Sequence, residues 1–157
     1  MAILGISTNT RLLGLAILKQ GSLVEYKVHL HKSSWSPSKA KEIITKLEPC
    51  VRQYCIKSCV LSTPNAYHQT EAYKSLVSCI RSYFKEKNIP VYAKESKTVH
   101  SLYSPEQKKT KKVLMKLLTE QYPQLTYCYR KEVRNKNKYY IKLFEAVAVA
   151  TLHGQKS

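Results

Sequence analysis

The chain is 157 residues long and carries 27 lysines and arginines against 10 acidic residues, a formal charge of +17. With 43% hydrophobic residues and a mean hydropathy of -0.37, it holds enough apolar content for one packed domain (1–157), is too apolar for a disordered chain, and if split in two would leave each half short of core. No stretch approaches the ~18 consecutive apolar residues of a membrane span, and a cationic excess that repels itself in the folded state points to a polyanionic partner, nucleic acid ahead of an anionic membrane surface.

Ala2 to Ile6 is a short apolar run, read as a first strand. The longest early apolar stretch, Leu12 to Leu18, is interrupted at Gly14, preceded by the polar run Ser7 to Arg11 and followed by no small-residue cleavage site, so it reads as a second strand rather than a secretory leader. Gln20-Gly21-Ser22 turns the chain into a third, Leu23 to Leu30, where Val24, Tyr26, Val28 and Leu30 alternate with Glu25, Lys27 and His29. The short turns predict an antiparallel meander. A first helix begins after Ser36 with Pro37 at its first position and carries Ala40, Ile43, Ile44, Leu47 and Val51 at helical spacing; Pro49 predicts a kink or an early end. Ile56 to Leu61 reads as a central strand closed by Ser62-Thr63-Pro64-Asn65. Ala72, Leu76, Val77, Ile80 and Phe84 mark a second helix, and Pro90 to Ala93 a short strand. A third helix is expected to open at Ser104-Pro105-Glu106 and to run through Val113, Leu114, Leu117 and Leu118. Tyr122 through Lys138 reads as a polar, basic connection, and a last helix runs from about Tyr139 to His153 with Gly154 as its C-cap.

A meander followed by strand-helix units predicts a mixed sheet with helices on both faces. In such sheets function gathers at the carboxyl ends of the central strands, here Ser7 and Ser62. The five cysteines, Cys50, Cys55, Cys59, Cys79 and Cys128, form no CxxC pair and lie in or beside apolar segments, so they read as small reduced core residues of a cytoplasmic protein. His68, His100 and His153 stand in no nucleophile arrangement, and there is no phosphate-binding glycine loop or HExxH.

Two basic clusters stand out. Lys108, Lys109, Lys111, Lys112 and Lys116 crowd the third helix, with no acid between Glu106 and Glu120. Arg130, Lys131, Arg134, Lys136 and Lys138 lie in the connection that follows, offset by Glu132 and interleaved with Tyr127, Tyr129, Tyr139 and Tyr140. Lysine and arginine supply phosphate contacts and tyrosine can stack on unpaired bases, so both clusters, with Arg11, are candidate nucleic-acid contacts.

The run Ile3-Leu4-Gly5-Ile6-Ser7 to Arg11, with Gly14 and Ile17 beyond, resembles the first hairpin of RuvC-type Holliday-junction resolvases, which reads hydrophobics, Gly-Ile-Asp-Pro-Gly, a small polar residue, Arg, then Gly. Phe144-Glu145-Ala146-Val147-Ala148-Val149-Ala150-Thr151-Leu152-His153 is similar to that family's closing helix, with its Asp-Ala, alternating small and aliphatic residues and late His. The resemblance implies an RNase H-like fold over the whole chain, with a five-stranded mixed sheet flanked by helices. It also implies a homodimer, a DNA partner ahead of RNA, both basic segments flanking the junction cleft, and cutting by Mg²⁺ held on four carboxylates.

The residues depart from that last expectation. The four implied positions are Ser7, Ser62, Lys142 and Glu145, and all ten acids of the chain are Glu, with no Asp anywhere. Two serines supply no charge, and Lys142, one helical turn before Glu145, would pair with the one carboxylate left. The expectation is a nucleic-acid-binding, RuvC-like domain that binds branched or structured DNA without cutting and needs no cofactor. Two alternatives stay open: a divergent Mg²⁺-dependent endonuclease recruiting Glu71 or Glu95 beside Glu145, and an inactive partner subunit of a DNA-processing complex. The actin-like ATPases share the core fold but need a longer chain and an Asp in the phosphate loop.

Overall fold

The structure, a computed structural model, describes residues 2–134 and 138–155. The meander comprises β1 (Ala2–Thr8), β2 (Leu12–Lys19) and β3 (Ser22–Leu30). Gln20 and Gly21 alone join β2 to β3, both at positive φ (53° and 80°), the turn geometry that matches the twist of paired strands. Asn9 closes the β1–β2 turn by accepting the backbone N–H groups of Arg11 and Leu12 on its side-chain oxygen at 2.8 and 2.7 Å. β4 (Ile56–Thr63) and β5 (Val91–Glu95) then add in parallel, giving one sheet of order β3-β2-β1-β4-β5. This is the mixed five-stranded sheet that the resemblance implies.

Strand alternation sends alternate residues of β1 and β2 to opposite faces. On one face Leu4, Ile6, Leu13, Leu15, Ile17 and Leu61 pack against α1 (Pro37–Thr45), α2 (Glu48–Tyr54) and α3 (Glu71–Glu86) through Ile43, Leu47, Leu76, Ile80 and Phe84. Ser36 caps α1 by accepting the Lys39 N–H, and Thr70 caps α3 by accepting that of Tyr73. The break expected at Pro49 occurs: α1 stops at Thr45, Pro49 sits in the first turn of α2, and α2 ends at Cys55 in the left-handed region. The other face is covered by α4 (Lys111–Gln121), α5 (Thr126–Arg134) and α6 (Ile141–Gln155), with Val60, Leu114, Leu118, Leu125, Phe144 and Val147 in its core.

α6 lies directly on the sheet because both surfaces are small. A Cβ on Gly5 would come within 2.2 Å of the Ala146 carbonyl oxygen, and one on Gly14 within 2.3 Å of the Lys142 backbone. The helix brings Ala146 and Ala150, both buried, to that contact. The two glycines of the first hairpin therefore set the depth and position of α6, and with it the side chains α6 carries to the carboxyl ends of β1 and β4.

Three expectations fail. The third helix does not open at Ser104: α4 starts at Lys111, capped by the Thr110 hydroxyl accepting from Val113 N–H at 3.2 Å. Ser104-Pro105-Glu106 instead lies in a turn, and Lys108 and Lys109 precede the helix. The basic connection contains α5 and a short 3₁₀ turn, Pro123–Leu125, held by burial of Leu125, Cys128 and Glu132. Gly154 is not a cap, since α6 continues to Gln155. The sequence reading also passed over the 3₁₀ segment Ser96–Leu102, anchored by buried Val99. Cys50, Cys59 and Cys128 are buried free thiols, whereas Cys55 is exposed. Among the described residues no helix is long and apolar enough to cross a membrane.

Candidate functional site

Ser7 and Ser62 are register partners near the carboxyl ends of β1 and β4, both buried. Gly14 flanks Ser7 on β2 and Lys94 flanks Ser62 on β5, so one row of the sheet runs Gly14, Ser7, Ser62, Lys94. Because Gly14 admits the α6 backbone at Lys142, the first turn of α6 rests on this row and Glu145 arrives over Ser7. The Ser7 hydroxyl donates to Glu145 Oε1 at 3.0 Å. Lys142 Nζ reaches the same oxygen at 3.1 Å. The other oxygen, Oε2, is held at 2.5 Å by Lys111 Nζ from the first turn of α4.

Both carboxylate oxygens are thus committed within the protein. The Glu145 side chain is 11% exposed, against 24% for Lys142 and 46% for Lys111. Burial pushes the Glu145 carboxyl up, but the ammonium groups of Lys142 and Lys111 outweigh it and hold the carboxyl below its ordinary value. Two ammonium groups against one carboxylate leave the centre with a surplus positive charge.

Such a donor set does not fit Mg²⁺. The ion wants several hard oxygen ligands, with negative charge to offset its own, and here the one carboxylate already has two cationic partners. The other carboxylates that sequence offered do not repair this. Glu71 pairs with Lys74 at 3.5 Å and Glu95 with Lys97 at 3.7 Å, each on an exposed surface. Among the described residues, no group of three or more His, Cys, Asp or Glu side chains converges on a point. The space between Ser62, Ser96, Lys111 and Glu145 is closed to a water-sized sphere.

Beside the closed centre, however, lies a cavity of about 270 Å³ lined by Lys97, His100, Tyr103, Lys109 and Lys111. The 3₁₀ segment after β5 brings His100 and Tyr103 there, their rings edge to face at 5.9 Å, and the Tyr103 hydroxyl donates to the Thr110 carbonyl at 2.7 Å. Sequence pattern did not single out this wall, because nothing in its spacing marks the 3₁₀ turn. Tyr67 was also passed over: it is 94% exposed in the 3₁₀ turn Ala66–His68 just beyond β4.

The basic clusters divide. Lys111 is drawn into the centre, while Lys108, Lys109, Lys112 and Lys116 are exposed, the last two one turn apart on α4. In the second cluster the unrecognised helix brings order. Tyr127, Arg130, Lys131 and Arg134 follow helical spacing along one exposed face of α5, with Lys131 Nζ 5.5 Å from the centre of the Tyr127 ring. Glu132 does not offset them. It turns inward, is buried, and accepts the N–H groups of Tyr139 and Tyr140 at 3.0 and 2.8 Å on one oxygen, a side-chain cap at the start of α6. Tyr129, Tyr139 and Tyr140 are partly buried, so of the four interleaved tyrosines Tyr127 is the one presented to solvent. Lys138 is exposed and Arg11 is exposed in the β1–β2 turn; Lys136 lies outside the described residues.

No protein-family model and no curated protein matches the sequence. Solved structures do match in shape. A Thermus thermophilus RuvC in complex with a Holliday junction substrate superposes with a TM-score of 0.75 at 16% identity, covering 98% of this chain and 93% of that one. A second T. thermophilus RuvC structure gives 0.74 at 15% identity with the same coverage. At these identities the likeness establishes the fold: a RuvC-like, RNase H-like architecture over nearly the whole chain.

Proposed function

We propose that this chain is a DNA-binding, resolvase-like domain that holds branched or structured DNA without cutting it. The observation that carries the reading is Glu145, placed over the carboxyl ends of β1 and β4 with both oxygens taken by Lys111, Lys142 and Ser7. In a fold shared with a RuvC seen on a Holliday junction, that position favours contact with a phosphodiester, and the surplus positive charge attracts phosphate rather than a metal ion. The cavity lined by Lys97, His100, Tyr103 and Lys109 offers donors to one phosphate beside the centre.

The exposed lysines of 108–116, the α5 stripe Arg130, Lys131 and Arg134, and Arg11 and Lys138 supply the wider electrostatic contact. Tyr67 and Tyr127 are the exposed rings on which unpaired bases at a branch would stack. DNA is preferred to RNA as the partner, the chain acts as a homodimer, and the buried free thiols suit a reducing, cytoplasmic setting.

A gel-shift series on a labelled four-way junction, matched duplex and single strand tests the binding. The expected result is tightest binding to the junction, with log affinity falling linearly as log salt rises. Equal, salt-insensitive or absent binding to all three would refute it. Light scattering on the free protein checks the homodimer, and a monomeric mass counts against that part.

A further inference from the structure

On the sheet face opposite Glu145, an open groove of about 520 Å³ runs between α3 and the strands β4 and β5. Its helical wall is one face of α3, because Lys74, Ser78, Arg81, Ser82 and Lys85 recur at steps of three and four residues. Its floor is shallow side chain: Ala93 of β5 and Thr63 of β4. Leu76, Ile80 and Phe84 occupy the opposite face of the same helix in the core, so the donor face points away from it.

The lining carries hydrogen-bond donors and cations and no carboxylate. Glu71 does pair with Lys74 at 3.5 Å, but that glutamate is 94% exposed and the pair is weak. Neither Arg81 nor Lys85 makes an ion pair among the described residues. Tyr73 keeps its proton as a donor: burial and then Glu145 push its hydroxyl up to about 12, against the opposing pull of Arg81. From Lys74 to Lys85 the cations extend about 16 Å along the helix axis, over which one duplex strand presents about five phosphates.

We infer that this α3 groove is a second nucleic-acid contact, a track for the phosphodiester backbone of one strand on the sheet face away from Glu145. The inference rests on the DNA-binding reading and deepens it. A chain with phosphate contacts on both sheet faces, meeting at the carboxyl ends of β4 and β5, engages two arms of a branched substrate and only one arm of a linear duplex.

The test compares the R81Q/K85Q double variant with K131Q/R134Q and wild type, on a fluorescent four-way junction and a linear duplex across a salt series. All four substituted side chains are exposed, so the fold tolerates the changes. The expected result is a junction salt slope lowered by about 1.8 in R81Q/K85Q, two phosphate contacts at about 0.9 each, with a smaller change on the duplex. An unchanged slope in R81Q/K85Q alongside a reduced one in K131Q/R134Q overturns the groove and leaves the DNA reading standing. Wild type without salt-dependent binding to either substrate overturns both. A wild-type dimer that R81Q/K85Q converts to monomer by light scattering assigns the groove to a second copy of the chain and overturns the inference.

Discussion

Lys111 reaches Glu145 at 2.5 Å, whereas Lys131 lies over the Tyr127 ring with no carboxylate partner among the described residues. The two lysines come from stretches, 108–116 and 126–138, that are alike in charge and both short of acids. What separates them is the direction in which the nearest glutamate points. α6 brings Glu145 to the carboxyl ends of β1 and β4, where α4 begins, so the Lys111 ammonium is taken up by that carboxylate; Glu132 turns into the core to cap α6, so the α5 stripe stays uncompensated. A lysine count therefore overstates the charge open to a polyanion in the first stretch and states it fairly in the second.

The largest expected effect removes the contact that puts Glu145 in place. Gly14→Val drives a side chain into the Lys142 backbone and should destabilise the fold by about 3 kcal/mol or more, enough to unfold a marginal domain, as read by thermal denaturation. An unchanged melting temperature would show that α6 does not need Gly14.

Glu145→Gln leaves Lys111 and Lys142 facing each other without a counter-charge. Because both lysines are partly hydrated, the expected loss is about 1–2 kcal/mol at neutral pH. The sign of its pH dependence follows from the lowered carboxyl. Glu145 stabilises fully above its ordinary value of 4.5, and that contribution is lost as pH falls through the lower folded value. Wild type and variant should therefore converge in denaturant melts at acid pH below 4.5. A gap that persists there would mean the ion pairs are not its source. Ser7→Ala, which removes one hydrogen bond and leaves both lysines in place, should cost about 1 kcal/mol.

The smallest stability effect belongs to the exposed stripe. Lys131→Gln with Arg134→Gln should leave stability within about 0.5 kcal/mol of wild type and lower the salt slope of DNA binding by about 1.8. A stability loss comparable to that of Glu145→Gln would erase the distinction between the two stretches.

The sheet was legible because its signals are local: alternation in Leu23 to Leu30, the Gln20-Gly21 turn, and apolar runs bounded by polar turns. The pairing of Lys142 with Glu145 was legible too, since i and i+3 share a helix face. Lys111 was not, because its approach to Glu145 spans 34 residues of sequence and depends on where α4 begins. That start was misplaced: Ser104-Pro105-Glu106 imitates a helix opening, while Thr110 supplies the hydroxyl that caps one. α5 was hidden by its own charge, since a short helix with few buried side chains leaves little apolar periodicity to read. The α3 groove escaped notice for a different reason. Lys74, Arg81 and Lys85 sit on an ordinary amphipathic helix, and only the small floor of Ala93 and Thr63 turns a solvated face into a channel.

The central claim is that a lysine-neutralised Glu145 leaves a junction-binding site that does not cut. The most direct measurement is a time course of a labelled four-way junction with saturating protein in Mg²⁺ or Mn²⁺. The account predicts junction that is bound and intact throughout. Metal-dependent nicking that Glu145→Gln abolishes would contradict it and make Glu145 a ligand rather than an ion-pair partner.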